Sequence, residues 1–168
     1  MHLEKSSAKR WTTTDTAKMA VVTGLYVAVT IVLSVVSFGA IQFRLSEMFN
    51  YLPLFNKRYT IAVTLGVAIA NLASPLGIVD VALGSISTLI VLLICRAVTK
   101  NIVSIKKRMI ITALIFAFSM FTVAGQLSFF YHAPFFFNWL IIGVGELLSM
   151  ALGGGLIYLI NQRIDLTK

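Results

Sequence analysis

Long uncharged runs dominate the chain: Met19 to Phe43, Tyr59 to Val79, Val81 to Cys95, Met109 to Gly145 and Leu147 to Gln162. A helix that crosses about 30 Å of hydrocarbon needs about 20 mostly apolar residues, so several of these runs are long enough to span a bilayer. The run from Met109 covers 37 residues, too many for one crossing, and Tyr131-His-Ala-Pro134 inside it marks a loop between two helices. Ser74-Pro-Leu-Gly77 divides the run from Tyr59, with proline and glycine where a turn uses them. Met48 to Asn56 is only nine residues, too short to cross alone; with residues from about Gln42 it makes a tilted or partly re-entrant helix. The pattern predicts six helices, at 17–37, 44–56, 59–73, 79–99, 108–129 and 137–161.

Composition places this pattern in a membrane. Of the 168 residues 58% are hydrophobic and 12% charged, and the mean hydropathy is +0.92. The expected fold is an all-α integral membrane protein, a six-helix bundle forming one membrane domain, 1–168. It divides into an amino-terminal segment (1–16), the bundle (17–161) and a tail (162–168). The polar stretch before Met19 and the length of the first run fit a cleaved signal peptide poorly, so the first helix is expected to stay. One cysteine, Cys95, precludes an internal disulfide and offers no zinc constellation, so no metal or cofactor is expected.

Charge then orients the bundle, because cytoplasmic loops carry an excess of Lys and Arg. With both termini in the cytoplasm, six spans place Lys5, Lys9, Arg10, Lys18, Lys57, Arg58, Arg96, Lys100, Lys106, Lys107, Arg108, Arg163 and Lys168 inside. That accounts for every basic residue of the 14 except Arg44. The net charge of +8 follows from topology and anionic lipid, and nucleic-acid binding is not needed to explain it.

Arg44 sits in Ile41-Gln-Phe-Arg-Leu-Ser-Glu47, a polar stretch between two strongly apolar segments. Glu47, Asp80 and Glu146 also avoid the cytoplasmic loops. Counted from Phe137, Glu146 lies nine residues down its helix, roughly 13 Å deep and near the midplane. An ionisable group there needs a partner, a cavity or a proton, so the stretch reads as one wall of an outward-facing polar pocket with its floor near Glu146. Structural roles compete. Arg44 and Glu47, three apart, also suit a local helical ion pair; Asp80 suits a helix cap; Glu146 suits an interhelical contact. His132 reads as interfacial, and the aromatics from Phe129 to Trp139 as a belt or a cover for a flat ligand.

Small residues recur every fourth position at Ala20, Gly24 and Ala28, and again at Gly145, Ser149 and Gly153. Such ridges serve either packing within the bundle or docking of another membrane protein. There is no Gly-x-x-x-x-Gly-Lys-Ser/Thr loop, no His-Glu-x-x-His and no soluble domain; Gly143-Val-Gly145 in an apolar helix is not a dinucleotide fingerprint. The chain has no ATPase motif of its own, and a small binding bundle is the remaining class.

The stretch Ile41 to Glu47 with Leu52-Pro53, then Ser74-Pro-Leu-Gly-Ile-Val-Asp80 and Gly84-Ser-Ile-Ser-Thr-Leu89, resembles the queuosine-precursor transporter family, QueT. These are substrate-binding S components of energy-coupling factor importers. The resemblance covers roughly Ala17 to Gln162, the last two helices mainly in hydropathy and in Gly145-Glu146. It implies a six-helix S component of a bacterial plasma membrane that captures a 7-deazaguanine derivative outside the cell. It also implies, as partners, a transmembrane coupling protein and two cytoplasmic ATPases. Docking in that class uses an Ala-x-x-x-Ala face on the first helix; here Ala20-Val-Val-Thr-Gly24 has glycine for the second alanine.

A deazaguanine offers adjacent N–H donors, a carbonyl and, in one form, an amine. Glu146 then suits the donor edge and Asp80 or Glu47 the amine. Arg44, Gln42 or Gln126 suits the carbonyl, with Asn71 and Asn138 secondary and aromatics such as Trp139 stacking on the ring. An S component for another vitamin-like solute, a stand-alone ion-coupled carrier and an intramembrane enzyme are the rivals. Dependence of uptake on ATPases separates the carrier, and recovery of unchanged ligand separates the enzyme.

The distribution of basic residues yields a topology test. Cysteines introduced at Lys57, Lys106 and Lys168 should label from the cytoplasmic side and those at Ser74 and His132 from outside. Equal outside labelling at 57 and 132 rules out six spans.

Overall fold

The computed structural model describes residues 11–38 and 42–167. Lys5, Lys9, Arg10, Lys168 and the first residue of the polar stretch, Ile41, lie outside the described residues. Every regular element among the described residues is helical: α1 (Thr13–Val32), a one-turn α2 (Ser34–Ser37), a 3-10 segment (Leu45–Leu54), α3 (Tyr59–Ala70) with a 3-10 turn (Asn71–Ala73), α4 (Ile78–Thr99), α5 (Ile105–Ser119), α6 (Phe121–Tyr131) and α7 (Phe135–Asn161). Among the described residues four stretches are long and apolar enough to cross a membrane: Thr13–Val32, Ile78–Thr99, Ile105–Tyr131 and Phe135–Asn161. Tyr59–Ala73 is shorter.

Several boundaries differ from the sequence expectation for local physical reasons. The first helix starts at Thr13 rather than 17, because Thr12 and Asp15 form a reciprocal capping box that satisfies first-turn N–H groups. It bends at Leu33 into α2 instead of running straight to 37. The helix expected at 108–129 extends from 105 to 131 but is interrupted at Met120. There Ser119 Oγ donates to the Phe116 carbonyl at 2.7 Å and Thr122 Oγ1 to the Ser119 carbonyl at 2.9 Å, hydroxyls competing with the backbone ladder. Pro134 begins α7 two residues ahead of the expected 137.

The largest departure is the second element. Leu45–Leu54 is a 3-10 helix of ten residues, far longer than the usual single turn, with Pro53 inside it. At about 2.0 Å per residue it reaches roughly 20 Å where an α-helix of that length would reach about 15 Å. Eight of its ten residues are buried, so this segment, and not one of the long helices, forms the centre of the bundle.

Helices α1, α3, α4, α5 and α7 pack around the segment. On α7 the ridge Gly145-Ser149-Gly153 turns inward and is buried, which makes it internal packing. A Cβ on Gly153 would fall 2.3 Å from Met48 Cβ and 2.9 Å from Met48 Cα, so the absent side chain is what admits the segment's backbone. Tyr51 Oη donates to the Met150 carbonyl at 3.0 Å. On the other side Gly66 of α3 accommodates the ring of Tyr26, whose Cβ and Cγ are 2.9 Å from where a Cβ would sit.

Polar contacts gather at one end of the bundle. Arg96 donates to the Pro53 carbonyl and Arg108 to the Leu54 carbonyl, both at 2.8 Å. Arg58 pairs with Asp15 and lies over the Trp11 ring, and Asn56 Nδ2 donates to the Thr167 carbonyl at 3.2 Å. This basic end therefore collects the start of α1, the end of the 3-10 segment, the α4–α5 turn and the end of α7. The α3–α4 and α6–α7 turns lie at the other end, where Gly77 (φ 52°) and His132 (φ 54°) take left-handed conformations.

Glycine contacts on α7 yield a stability contrast. Gly153→Ala should destabilise the fold by about 1 to 3 kcal/mol, because the new methyl meets backbone that cannot swing aside. Gly155→Ala, whose Cβ would meet nothing within 4 Å, should be neutral or mildly stabilising. Thermal unfolding in detergent measures both, and equal melting temperatures would refute the assigned packing.

Candidate binding site

The 3-10 segment begins where the chain enters the bundle, and its first turn carries Arg44 and Glu47 inward. Gln42, just before it, has a left-handed φ of 49°, which turns the chain sharply into the interior. These three side chains, with Asn71 and Glu146, line a cavity of about 50 Å³. At about 10–15 Å³ per water position, that space holds a few waters and lies well below the roughly 300 Å³ at which small-molecule pockets begin. The walls must part before a bicyclic ligand fits.

Arg44 is held on several sides. Its Nε donates to the Ser37 carbonyl at 3.1 Å, its Nη1 to Asn71 Oδ1 at 3.3 Å, and its guanidinium lies over the Phe38 ring, 4.9 Å from the centroid. Its backbone N–H donates to Ser149 Oγ of α7 at 3.0 Å. Asn71 in turn donates from Nδ2 to the Asp80 carbonyl at 2.9 Å. Arg44 and Glu47 make no ion pair with each other, which removes the local-pair expectation. Glu47 instead accepts from Tyr26 Oη at 2.8 Å and from Asn50 Nδ2, and is 7% exposed.

Glu146 differs from both. It is 3% exposed, and its Oε1 is buried with no hydrogen-bond partner. A buried carboxylate oxygen left without a donor is costly. With one guanidinium and two carboxylates on its wall, the cavity presents donors, acceptors and an excess of acidic groups.

Four expected residues stand elsewhere. The Asp80 carboxylate accepts from Ser74 Oγ in the α3–α4 turn, a local tie across the start of α4, and only its backbone carbonyl reaches the site through Asn71. Gln126 is buried one turn beyond the lining, with Nε2 on the Thr122 carbonyl at 3.4 Å and Oε1 unpartnered. Asn138 donates to the Pro134 carbonyl of its own first turn. Trp139 donates to the Phe118 carbonyl at 2.9 Å and packs edge-on against Phe118 and Phe121 outside the cavity.

The cavity also has walls that were not expected at the site: Gly84, Ser87 and Thr88 of α4, which entered only as part of a family motif, and Ser119 and Thr122 beside the Met120 interruption. Their signal was present. Gly84, Ser87, Thr88 and Val91 follow helical spacing within an otherwise apolar helix, as do Ser119, Thr122 and Val123. Gly84 is needed here, since a Cβ would lie 2.5 Å from Asn71 Nδ2.

Away from the cavity, Ala20, Gly24 and Ala28 lie along the outer face of α1 in an open apolar groove of about 700 Å³ completed by Leu65 and Ile69 of α3. No atom lies within 4 Å of a Cβ placed on Gly24. This ridge is thus exposed, unlike the inward ridge on α7.

The family model described as QueT transporter matches residues 16–162. A relative from Lactococcus lactis subsp. cremoris, named Queuosine precursor transporter QueT, is 38% identical over 169 aligned positions, covering 95% of this chain and 99% of the relative. No solved structure matches.

Proposed function

Since the chain belongs to the QueT transporter family, we propose that it is the substrate-capturing S component of an energy-coupling factor importer and binds a queuosine precursor, a 7-deazaguanine derivative, in the cavity beneath Arg44. It is a multi-pass protein of the plasma membrane. In this reading the six helical passes carry both termini in the cytoplasm, the basic end faces inward and the cavity opens outside.

The observation that carries the site is the buried, unpartnered Oε1 of Glu146. A deazaguanine edge with adjacent ring N–H and amino donors meets a carboxylate through two parallel hydrogen bonds. Arg44, already oriented by Ser37, Asn71 and Phe38, donates to the ring carbonyl. Glu47, held by Tyr26 and Asn50, faces the aminomethyl cation, a role that Asp80 loses to its bond with Ser74. Ser87, Thr88, Ser119 and Thr122 supply further hydroxyls as the walls part.

Energy comes from partners. A transmembrane coupling protein seats against the exposed ridge Ala20-Gly24-Ala28, where small side chains allow close helix approach, and two cytoplasmic ATPases drive it.

Two measurements test this reading. In titrations of 7-aminomethyl-7-deazaguanine into purified protein, Glu146→Gln should weaken binding about tenfold to a hundredfold. The charge-assisted bond it loses is worth about 1.5 to 3 kcal/mol, and the amide places a donor against a donor. Unchanged affinity in a folded variant removes Glu146 from the base edge. Gly24→Leu should abolish copurification with the coupling protein while ligand affinity stays within about twofold, because the added side chain points into the open groove. Loss of ligand binding with assembly intact would reverse that assignment.

A further inference from the structure

A second open groove runs down the outside of the bundle between α5 and α7, with a volume of about 470 Å³. Its walls are apolar, formed by Ile110, Ala113 and Leu114 on α5 and by Leu147, Ala151 and Gly155 on α7. Lys106 stands at one end, its Nζ 5.1 Å from the ring centroid of Tyr158, which also lines the groove. From Lys106 to Leu114 is about 12 Å of helix, and from Tyr158 to Leu147 about 16 Å. Half the hydrocarbon thickness is about 15 Å. The groove is thus one leaflet deep, apolar along its length and cationic at the basic end of the bundle.

That combination fits one kind of occupant. We propose that the α5–α7 groove binds an anionic phospholipid, with an acyl chain lying along Ala113, Ala151 and Gly155 and the phosphate on Lys106. Lys100 and Lys107 are exposed at the same end, and no acidic residue occurs between Arg96 and Arg108, so nothing in this stretch of chain neutralises the rim. Tyr158 lines the groove at the same end, with the Lys106 cation over its ring, a pairing suited to the headgroup level of a bilayer. Gly155 keeps the wall shallow, since a Cβ there would meet nothing and project into the groove. This site lies on the opposite side of α7 from the inward ridge and is independent of the ligand cavity.

The test is native mass spectrometry of the purified protein equilibrated with equal amounts of phosphatidylglycerol and phosphatidylcholine of identical acyl chains. The wild-type chain should retain phosphatidylglycerol in about fivefold preference, the effect of one basic side chain near an anionic headgroup. Lys106→Gln should bring the ratio close to one while a phospholipid is still retained. Gly155→Leu should lose retained lipid of both kinds with its melting temperature unchanged. The same retention and ratio in all three proteins would mean annular lipid only and overturn the proposal. So would a Gly155→Leu protein that keeps its lipid but no longer assembles with the coupling protein, which would mark the groove as a protein interface.

Discussion

A buried 3-10 segment inside an apolar bundle imposes the controlling constraint: hydrocarbon offers no hydrogen bonds, so the irregular backbone must be satisfied by its neighbours. Three of the surrounding helices carry a residue for that purpose, and side-chain bonds add to them. Arg96 of α4 and Arg108 of α5 hold the carbonyls of Pro53 and Leu54, Ser149 of α7 accepts the N–H of Arg44, and Tyr51 anchors to the Met150 carbonyl. On α1, Tyr26 donates to Glu47, and the hydroxyls of Thr30 and Ser46 are 2.6 Å apart. Arg96 and Arg108 therefore serve packing.

The cavity follows from the same segment. Its first turn directs a guanidinium and a carboxylate toward the space left by small or hydroxylated residues on α4 and at the α5–α6 interruption. Protein groups occupy Arg44 and Glu47 from behind, which fixes their orientation. Glu146 Oε1 receives no such support. A site built on an unsatisfied acceptor selects by rejection as much as by attraction, since a solute lacking the complementary donors leaves a desolvated carboxylate unpaired.

Much of this was legible in the chain. Apolar runs located the long helices, and Pro and Gly located the turns at 74–77 and near 134, because both signals are local. The depth of Glu146 and the isolation of Arg44 from the other basic residues identified two cavity walls, and Gln42, Glu47 and Asn71 join them. The 3-10 geometry was not legible: Leu45–Leu54 has ordinary helical composition apart from Pro53, and the α7 glycines that admit its backbone lie a hundred residues away. Asp80, Asn138 and Trp139 were polar or aromatic groups at plausible depth whose local partners, Ser74, Pro134 and Phe118, only three-dimensional placement reveals. Ser87, Thr88, Ser119 and Thr122 were not assigned to the pocket because neutral hydroxyls in an apolar helix can satisfy themselves on the preceding turn, as Ser85 does on Val81.

Helix α1 carries two different surfaces on one rod. Gly24 and Ala28 lie on the outer groove, while Tyr26, two residues from each and so turned about 200° away, reaches the carboxylate of Glu47. Thr23 is tied to the Ala62 carbonyl at 2.9 Å, and the Tyr26 ring lies against the bare backbone of Gly66, so α1 and α3 are closely packed. A single phenol hydroxyl thus ties the rod that bears the outer groove to a carboxylate on the cavity wall.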